Sequence, residues 1–405
     1  MFNATIHLRP IGRPGAALAA LLLGAMLGGC VSDARQAVDG HVNNAMSLVI
    51  PPKGETLRVP VFVASTRRGD GGAETDGRAH FSLVAIGVPP GHRAGAIERP
   101  SFGAADPKRH FAILGRRAMD DEEFRNEIAS HVSGRVGLGR DILLYVHGFN
   151  TSLEESRFRI AQVVADGRFS GVAALFTWNS RGGLFAYEAD KESATVARDA
   201  LEKLVLDLAH TPGVGRVHIL AHSMGTWLTM ETLRTIASSG HPDLDGRLGE
   251  VMLAAPDIDM SVFRQQLARL DASHVSIFVS NNDRALSISS HIAGDRQRLG
   301  AMDPTKPNDK AELDRLGVAV HDISSFSTDF VGHGAFAEAP DVVRQIGAQL
   351  TAPHQGEVET QAVINLSGDR EPTGAVAAPA APATPVAAPP GKAIETQPLP
   401  PLAAR

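Results

Sequence analysis

The residue types in this sequence that are best suited to chemistry are a serine, an aspartate and a histidine. Ser223 lies in the segment Ala221–Gly225 (AHSMG), where small residues stand two positions before and two positions after the serine. That spacing is typical of a sharp turn between a strand and a helix, which holds a serine hydroxyl clear of the sheet. A serine becomes a useful nucleophile when an imidazole takes its proton and a carboxylate orients the imidazole. Asp283 and His333 follow in that order along the chain and are predicted to take these two roles.

Two segments of the chain contain a candidate for the carboxylate that orients the imidazole. Asp283 follows the apolar segment 275–279, and two asparagines directly before it favour a turn that brings the acid to the strand end. Asp257 and Asp259 follow the apolar segment 251–254 and precede a predicted helix, where an acid also serves as a turn or cap residue. The turn favours Asp283, but position in the chain leaves Asp257 and Asp259 open as alternatives.

Among the 16 histidines, His333 and His321 compete for the role of base. His333 stands between two glycines in a predicted loop, whereas His321 alternates with valines in a predicted strand. A loop lets an imidazole reach the serine, so we assign the base to His333. We expect His147 to shape a loop beside the site and His222 to pack inside the serine turn.

An acyl-transfer site also needs N–H donors that already point at the developing oxyanion. We expect these to be the backbone N–H groups of Met224, directly after the serine, and of Phe149, in the segment His147-Gly148-Phe149. The sequence contains no HExxH or CxxC pattern and no cluster of carboxylates typical of a metal site. It therefore predicts neither a metal nor another cofactor.

Apolar periodicity predicts alternating strands and helices around these residues. The predicted strands cover residues 59–64, 81–88, 111–114, 141–146, 172–178, 217–220, 251–254, 275–279 and 318–321. The predicted helices cover residues 120–131, a segment that begins at Thr151 or Ser152, residues 190–210, a segment directly after Ser223, and residues 261–270, 285–292 and 341–350. This alternation indicates a mostly parallel sheet with helices on both faces, in which ligands bind beyond the carboxyl ends of the strands.

Four separate segments carry a resemblance to a known family. They are Tyr145–Asn150, Ala221–Gly225, Leu253–Asp259 and Ser280–Leu286. Together with the chain order Ser, Asp, His, they resemble the α/β-hydrolase esterase- and lipase-like proteins catalogued as a domain of unknown function, over residues 57–350. The resemblance implies an α/β-hydrolase fold with a nucleophile elbow at Ser223, and it implies little about the substrate.

The first 29 residues predict an export signal. They contain Arg9 and Arg13, no acid, and an apolar run over residues 16–27 that is too short to span a bilayer. The junction Leu27-Gly28-Gly29-Cys30 resembles a bacterial lipobox, in which the signal is removed before a cysteine that receives lipid. Acyl chains on Cys30, the only cysteine, would anchor the protein at a membrane. Val31 after it favours the outer membrane, with the protein facing the periplasm.

The composition fits one globular domain with appendages. The 405 residues are 43% hydrophobic and 21% charged, with a formal net charge of −6, and no basic cluster indicates a nucleic-acid partner. A Pro- and Ala-rich stretch near the C-terminus has too few large apolar side chains to form a core. We therefore divide the chain into a lipoprotein signal peptide (1–29), a tether (30–55), an α/β-hydrolase domain (56–352) and a disordered tail (353–405).

These patterns favour a serine hydrolase that acts on a small-molecule acyl substrate, most directly a carboxylic ester, at the bacterial envelope. Thioester, amide and acyl-transfer chemistry use the same three side chains and stay open. The alternative function is a lipoprotein that keeps the fold only as a binding scaffold. The complete set of serine, acid, base and oxyanion loop favours the enzyme, because a scaffold has no need of all of them. The sequence carries no signal for the oligomeric state.

Overall fold

The structure is a computed structural model that describes residue 52 and residues 54–67, 77–181, 186–326 and 333–352. The predicted signal peptide, Cys30, nearly all of the tether and the C-terminal tail lie outside these residues. The predicted hydrolase domain is described over most of its length, and that part of the chain contains every residue predicted for the catalytic site.

Within the described residues, nine strands form one sheet. They are β1 (Leu57–Ser65), β2 (His80–Val88), β3 (Ala112–Met119), β4 (Ile142–Val146), β5 (Val172–Thr177), β6 (Val217–His222), β7 (Leu248–Ala254), β8 (Val275–Val279) and β9 (Ala319–Asp322). Each lies where the sequence predicts a strand, although β3 extends five residues past the end of the predicted segment 111–114. The extension follows from pairing, since β3 bonds along β2 as far as Met119.

Nine α-helices in the described part of the chain accompany the sheet. They are α1 (Asp121–Val132), α2 (Leu153–Asp166), α3 (Tyr187–Ala209), α4 (Met224–Ser238), α5 (Met260–Leu267), α6 (Arg284–Ile292), α7 (Pro307–Asp314), α8 (Ala335–Glu338) and α9 (Pro340–Thr351). Seven were predicted. The exceptions are α7, which buries only Leu313 and so has no apolar periodicity, and α8, which is a single turn. No helix among the described residues is long and apolar enough to cross a membrane.

The strand order is β3-β2-β1-β5-β4-β6-β7-β8-β9. Only β2 runs antiparallel to its neighbours β1 and β3, and all other neighbouring pairs are parallel. The sheet is therefore mostly parallel, as the alternation of strands and helices predicts.

Alternate side chains of the central strand β4 show how both faces of the sheet are covered. Ile142, Leu144 and Val146 pack into one buried cluster, to which α1, α3, α4 and α5 contribute. Leu143 and Tyr145 pack into a second cluster with side chains of α2 and α9. Because the pleat sends successive side chains to opposite faces, a continuous apolar run is what a strand buried on both sides requires.

The strand order places a crevice between β4 and β6. These strands are neighbours, but β4 continues through α2 to β5 on one side, whereas β6 continues through α4 to β7 on the other. The two connections leave in opposite directions, and ligands of open α/β sheets bind at such a switch point. The segment after β4 contains His147-Gly148-Phe149, and the turn after β6 contains Ser223.

Candidate active site

Ser223 occupies a sharp turn between β6 and α4. Its backbone angles are φ 53° and ψ −125°, a conformation that non-glycine residues rarely adopt and that functional sites often retain. Neighbouring groups hold it there: the Ser223 N–H donates to the Ala254 carbonyl at 3.0 Å, and Thr226 Oγ1 donates to the Ser223 carbonyl at 2.5 Å. The side chain is thereby held on a fixed backbone at the edge of the sheet.

Two glycines let the segment after β4 touch the serine turn. A Cβ on Gly225 would lie 2.4 Å from the His147 carbonyl oxygen, and a Cβ on Gly148 would lie 2.6 Å from the Ser223 Cβ. Both distances are well below normal contact, so only glycine fits at either position. The small residue that the pattern requires after the serine therefore has a direct steric cause, which is the close approach of the neighbouring loop.

His333 and Asp283 meet through their side chains. His333 Nδ1 lies 2.7 Å from Asp283 Oδ2, and the Asp283 side chain is fully buried while that of His333 is 20% exposed. The other carboxylate oxygen of Asp283 accepts the Leu286 N–H at 3.0 Å and so caps α6. With both oxygens engaged, the carboxylate is fixed in orientation, and it can hold the imidazole with Nε2 as the remaining ring nitrogen.

The alternative acids have other partners. Asp259 caps α5 by accepting the N–H groups of Ser261 and Val262, the role that its position before a helix suggests. Asp257 does not cap a helix. Its carboxylate lies 3.1 Å from Arg298 Nε in an ion pair whose two side chains are 3% and 5% exposed, so the cap interpretation of Asp257 is wrong.

Tyr187 and Ser289 complete the surroundings of Asp257. Tyr187 Oη donates to Asp257 Oδ2 at 2.8 Å, and Ser289 Oγ donates to Oδ1 at 2.5 Å. Burial and the neighbouring Asp257 raise the pKa of the Tyr187 hydroxyl, which keeps it a neutral donor. This network was not predicted, because Tyr187, Asp257, Ser289 and Arg298 are separated in sequence and only folding brings them together.

His222 connects the serine turn to the segment that carries His333. Its Nε2 donates to the His333 carbonyl at 3.1 Å, and its ring stacks on Phe336 with centroids 4.5 Å apart. Burial, and then the neighbouring His333, lower the pKa of His222 well below its ordinary value, so its ring is neutral. His222 packs inside the turn as expected, and it also supports the loop of the predicted base.

His147 is a buried, neutral support of the loop after β4. Its Nδ1 donates to the Gly148 carbonyl at 2.8 Å, so that its Nε2 accepts from Thr177 Oγ1 at 2.9 Å and from Arg67 Nη2 at 3.2 Å. Burial, followed by the charge of Arg67, lowers the pKa of His147 to about 3. The Trp178 indole stacks on the His147 ring with centroids 5.2 Å apart, and its N–H donates to the His147 carbonyl. Trp178 therefore supports the loop.

The two predicted oxyanion donors belong to residues next to the serine in the chain and next to the glycine that packs against it. Met224 is the first residue of α4, and the N–H at that position has no acceptor within its own helix. Phe149 follows Gly148, which packs against Ser223, and its side chain lines the adjoining cavity. The positive end of the α4 dipole also points toward the place where negative charge would develop.

A cavity of about 490 Å³ lies beside the serine turn. Ser223, His222 and His333 line it together with Phe149 and Phe336. Its further lining comes from the end of β4 and the segment after it, from α2, α6 and the segment of α8, and from the network of Asp257. These residues are Tyr145, Asn150, Thr151, Glu155, Arg159, Tyr187, Asp257, Ala285, Leu286, Ile288, Ser289, Ile292, Gly334 and Glu338. The volume lies within the range of about 300–1,000 Å³ that is usual for small-molecule sites.

His321 lies outside this cavity. Its ring stacks on Phe278 and contacts the side-chain amides of Gln345 and Gln349 at 2.7 Å each. The strand alternation that weighed against His321 in the sequence thus corresponds to a side chain packed between β8 and α9. Among the described residues, no group of three or more His, Cys, Asp or Glu side chains is arranged to hold a metal ion.

Comparison with known proteins gives a family and several distant structural relatives. A family model described as an α/β hydrolase of unknown function (DUF900) matches residues 120–351. No curated protein matches the chain in sequence. Carboxyl esterase 2 of the fungus Tuber melanosporum is 11% identical, with a TM-score of 0.35 over 74% of this chain and 88% of that chain.

Two further solved esterases show a similar degree of likeness. The Pyrobaculum calidifontis esterase is 11% identical, with a TM-score of 0.32 over 84% of this chain and 97% of that chain. The rice cell wall degrading esterase LipA of Xanthomonas oryzae is 13% identical, with a TM-score of 0.30 over 74% of this chain and 99% of that chain. The α/β-hydrolase fold rests on the family match and on the sheet described above.

Proposed function

The chain belongs to the family of α/β hydrolases of unknown function, and from this premise we propose that it is a serine hydrolase of carboxylic esters. Ser223 is the nucleophile, His333 the general base and acid, and Asp283 the carboxylate that orients the imidazole. The observation that carries the proposal is the 2.7 Å contact between His333 Nδ1 and Asp283 Oδ2 beside a cavity that Ser223 also lines.

The proposed reaction has two halves. In the first, Ser223 Oγ attacks the acyl carbonyl while His333 Nε2 takes the hydroxyl proton, and the tetrahedral intermediate collapses as the alcohol leaves with that proton. In the second, His333 takes a proton from water, whose oxygen attacks the acyl-serine ester, and the acid product leaves as the proton returns to Ser223. Asp283 stabilises the imidazolium that forms in each half.

The N–H groups of Met224 and Phe149 are proposed to bind the oxyanion. Donors to an oxyanion are held in place before the reaction begins. In a protease, the loss of a side-chain donor to the oxyanion lowers kcat by about 10²–10³. The tight packing of Gly148 and Gly225 between the two loops supports this role, because it fixes the segment that carries one donor against the turn that carries the other.

The test is covalent labelling by a fluorophosphonate probe together with hydrolysis of p-nitrophenyl butyrate. Wild type should be labelled at Ser223 and should hydrolyse the ester, and Ser223→Ala should lose both, with turnover falling by as much as about 10⁶. The control is Ser238→Ala, at the exposed end of the same helix, which should behave as wild type. A folded Ser223→Ala protein with undiminished turnover would refute the mechanism. Wild type that is neither labelled nor active would leave the binding scaffold as the explanation of the fold.

We further propose that Cys30 carries lipid and anchors the domain at the bacterial envelope, facing the periplasm. The support is the sequence Leu27-Gly28-Gly29-Cys30 after a short apolar segment with two arginines before it. Cys30→Ser should yield an unprocessed protein without the mass of the acyl chains and depleted from the outer-membrane fraction. An unchanged mass and distribution would refute the anchor and leave the proposed chemistry unaffected.

A further inference from the structure

Helix α6 begins directly after the proposed acid and forms one wall of the cavity. Asp283 is its N-cap, so the carboxylate that contacts His333 also fixes where the helix starts. Five of the nine residues of α6 line the cavity; they are Ala285, Leu286, Ser289 and the isoleucines Ile288 and Ile292. Except for Ser289, which faces Asp257, this wall is apolar.

The apolar wall continues from the buried site to solvent. Leu286 is 1% exposed, whereas Ile288 and Ile292 are 44% and 43% exposed. The two isoleucines stand four residues apart and therefore lie on the same side of the helix. The other large hydrophobic side chains exposed in the described part of the chain do not line this cavity. Exposure of this kind loses free energy unless an apolar group covers it.

Another part of the cavity lining is polar. Glu155 and Arg159 project from α2, and Arg159 Nη2 lies 3.4 Å from Glu338 Oε1 of α8. Asn150 and Thr151, in the segment that leads into α2, also belong to this part. A molecule that fills the cavity thus meets hydrocarbon at α6 and charged or hydrogen-bonding groups at α2 and the segment before it.

We propose that α6 binds the hydrocarbon chain of an ester substrate, with the chain passing Leu286 and covering Ile288 and Ile292, while the polar part of the substrate faces α2. The proposal rests on the function proposed for Ser223, His333 and Asp283. It selects as substrates amphipathic esters with a chain longer than acetyl. From Leu286 to Ile292 the helix rises about 9 Å, at roughly 1.5 Å per residue, so a two-carbon acyl group cannot contact both ends of this wall.

Continuity with the cavity identifies the occupant. The exposed isoleucines are part of the same lining as Ser223 and His333, so an apolar chain attached to a reacting ester reaches them without leaving the protein surface. Two side chains on one helix offer far less area than the roughly 800 Å² per partner that a stable protein interface buries. The arrangement therefore suits a small-molecule chain better than a protein partner.

The experiment measures kcat/KM for p-nitrophenyl acetate, butyrate, octanoate and dodecanoate at submicellar concentrations. Wild type should gain about three- to fourfold per added methylene that reaches the wall, which is on the order of 100-fold from butyrate to octanoate. Ile288→Asp and Ile292→Asp should each reduce the octanoate-to-butyrate ratio at least tenfold, and Ile288→Leu should retain it. The control is Val196→Asp on α3, a valine that is 53% exposed away from the cavity, which should leave the ratio and the rates unchanged.

Octyl acetate compared with ethyl acetate tests the same wall with the chain on the alcohol side. A preference for the longer alcohol that Ile288→Asp removes supports the proposal equally. A wild-type enzyme that is labelled by the fluorophosphonate probe but shows no chain preference in either series overturns this inference and leaves the proposed function standing.

Two other results would also overturn the proposal. If Ile288→Asp and Ile292→Asp change the oligomeric state in size-exclusion chromatography but leave the chain preference intact, the face is a protein interface. If wild type is neither labelled nor active on any ester, the proposed function fails and this inference fails with it.

Discussion

Replacement of Asp283 by asparagine separates catalysis from stability more cleanly than any other change in this site. Asparagine caps a helix about as well as aspartate, so the bond from the Leu286 N–H can be kept, and the free energy of unfolding should change by less than about 1 kcal/mol. The 2.7 Å contact with His333 loses its negative charge, however. A neutral amide does not stabilise an imidazolium, and it can favour the wrong tautomer of the imidazole. In a triad treated this way turnover falls by about 10⁴, which corresponds to about 5 kcal/mol of transition-state stabilisation.

Asp257→Asn should show the opposite behaviour. It leaves the buried guanidinium of Arg298 beside a neutral group, and the removal of one partner from a buried ion pair costs about 3–5 kcal/mol. At about 2–4 °C per kcal/mol for a domain of this size, Tm should fall by about 10 °C. At temperatures below the lowered Tm, kcat/KM should stay within about tenfold of wild type. Asp259→Asn is the matched control, since asparagine retains the cap of α5 and both quantities should stay near wild type.

The assay combines fluorophosphonate labelling, hydrolysis of p-nitrophenyl butyrate and thermal melts followed by circular dichroism, on all three variants at one pH. The reasoning is refuted if Asp283→Asn retains most of the turnover. If Asp257→Asn instead abolishes turnover at an unchanged Tm, the acid belongs after β7 and the contact between Asp283 and His333 is structural.

Three further changes test the support of the site. His222→Phe keeps the stacking on Phe336 but removes the donor to the His333 carbonyl. Its kcat/KM should fall about fivefold, the equivalent of one net hydrogen bond of about 1 kcal/mol, while His222→Gln should retain more activity. Gly148→Ala places a Cβ 2.6 Å from that of the proposed nucleophile, and a displacement of the turn should slow probe labelling by about 100-fold or more, whereas labelling at the wild-type rate would refute the tight contact. Burial lowers the pKa of His147 to about 3 in the folded protein, whereas in the unfolded chain it is about 6.5. Between about pH 6.5 and pH 3 only the unfolded chain binds the proton, so stability is lost as the pH falls. Between pH 6.5 and pH 5 this histidine should therefore remove about 1.6 kcal/mol of stability, and the slope approaches about 1.4 kcal/mol per pH unit only one unit below pH 6.5. Urea unfolding of His147→Gln over the same range should show a loss of stability smaller by about 1.6 kcal/mol if the ring is neutral in the folded state.

Much of the fold could be predicted because the sheet imposes a local pattern on the sequence. A strand covered on both faces must be apolar at every position, as in Ile142–Val146, and this run is visible without knowledge of its partners. Helix starts are also local, and Ser152, one of two expected caps, does accept the Glu155 N–H at 3.1 Å. By contrast, α7 has no apolar periodicity, and its position depends on contacts that no short stretch of sequence contains.

The site was predictable to the extent that its residues follow strand ends. The prediction placed Ser223, Asp283 and His333 at one edge of the sheet, and the structure brings Asp283 against His333 there. The roles of the three residues stay predictions until they are assayed. The partners of Asp257 could not be predicted, because an acid after a strand looks alike in sequence whether it caps a helix, as Asp259 does, or pairs with an arginine 41 positions away, as Asp257 does with Arg298.

Three histidines lie at or beside this site, and their surroundings separate them more sharply than the sequence does. The His147 ring binds a carbonyl, a hydroxyl and a guanidinium in full burial, and the His222 ring binds a carbonyl. Both have lowered pKa values, so neither is suited to accept and return a proton near neutral pH. Of the three rings only that of His333 contacts a carboxylate, and a general base needs such a partner to stabilise the charge it gains. The proposal that His333 is the base therefore rests on its partner Asp283 as well as on its place in the chain.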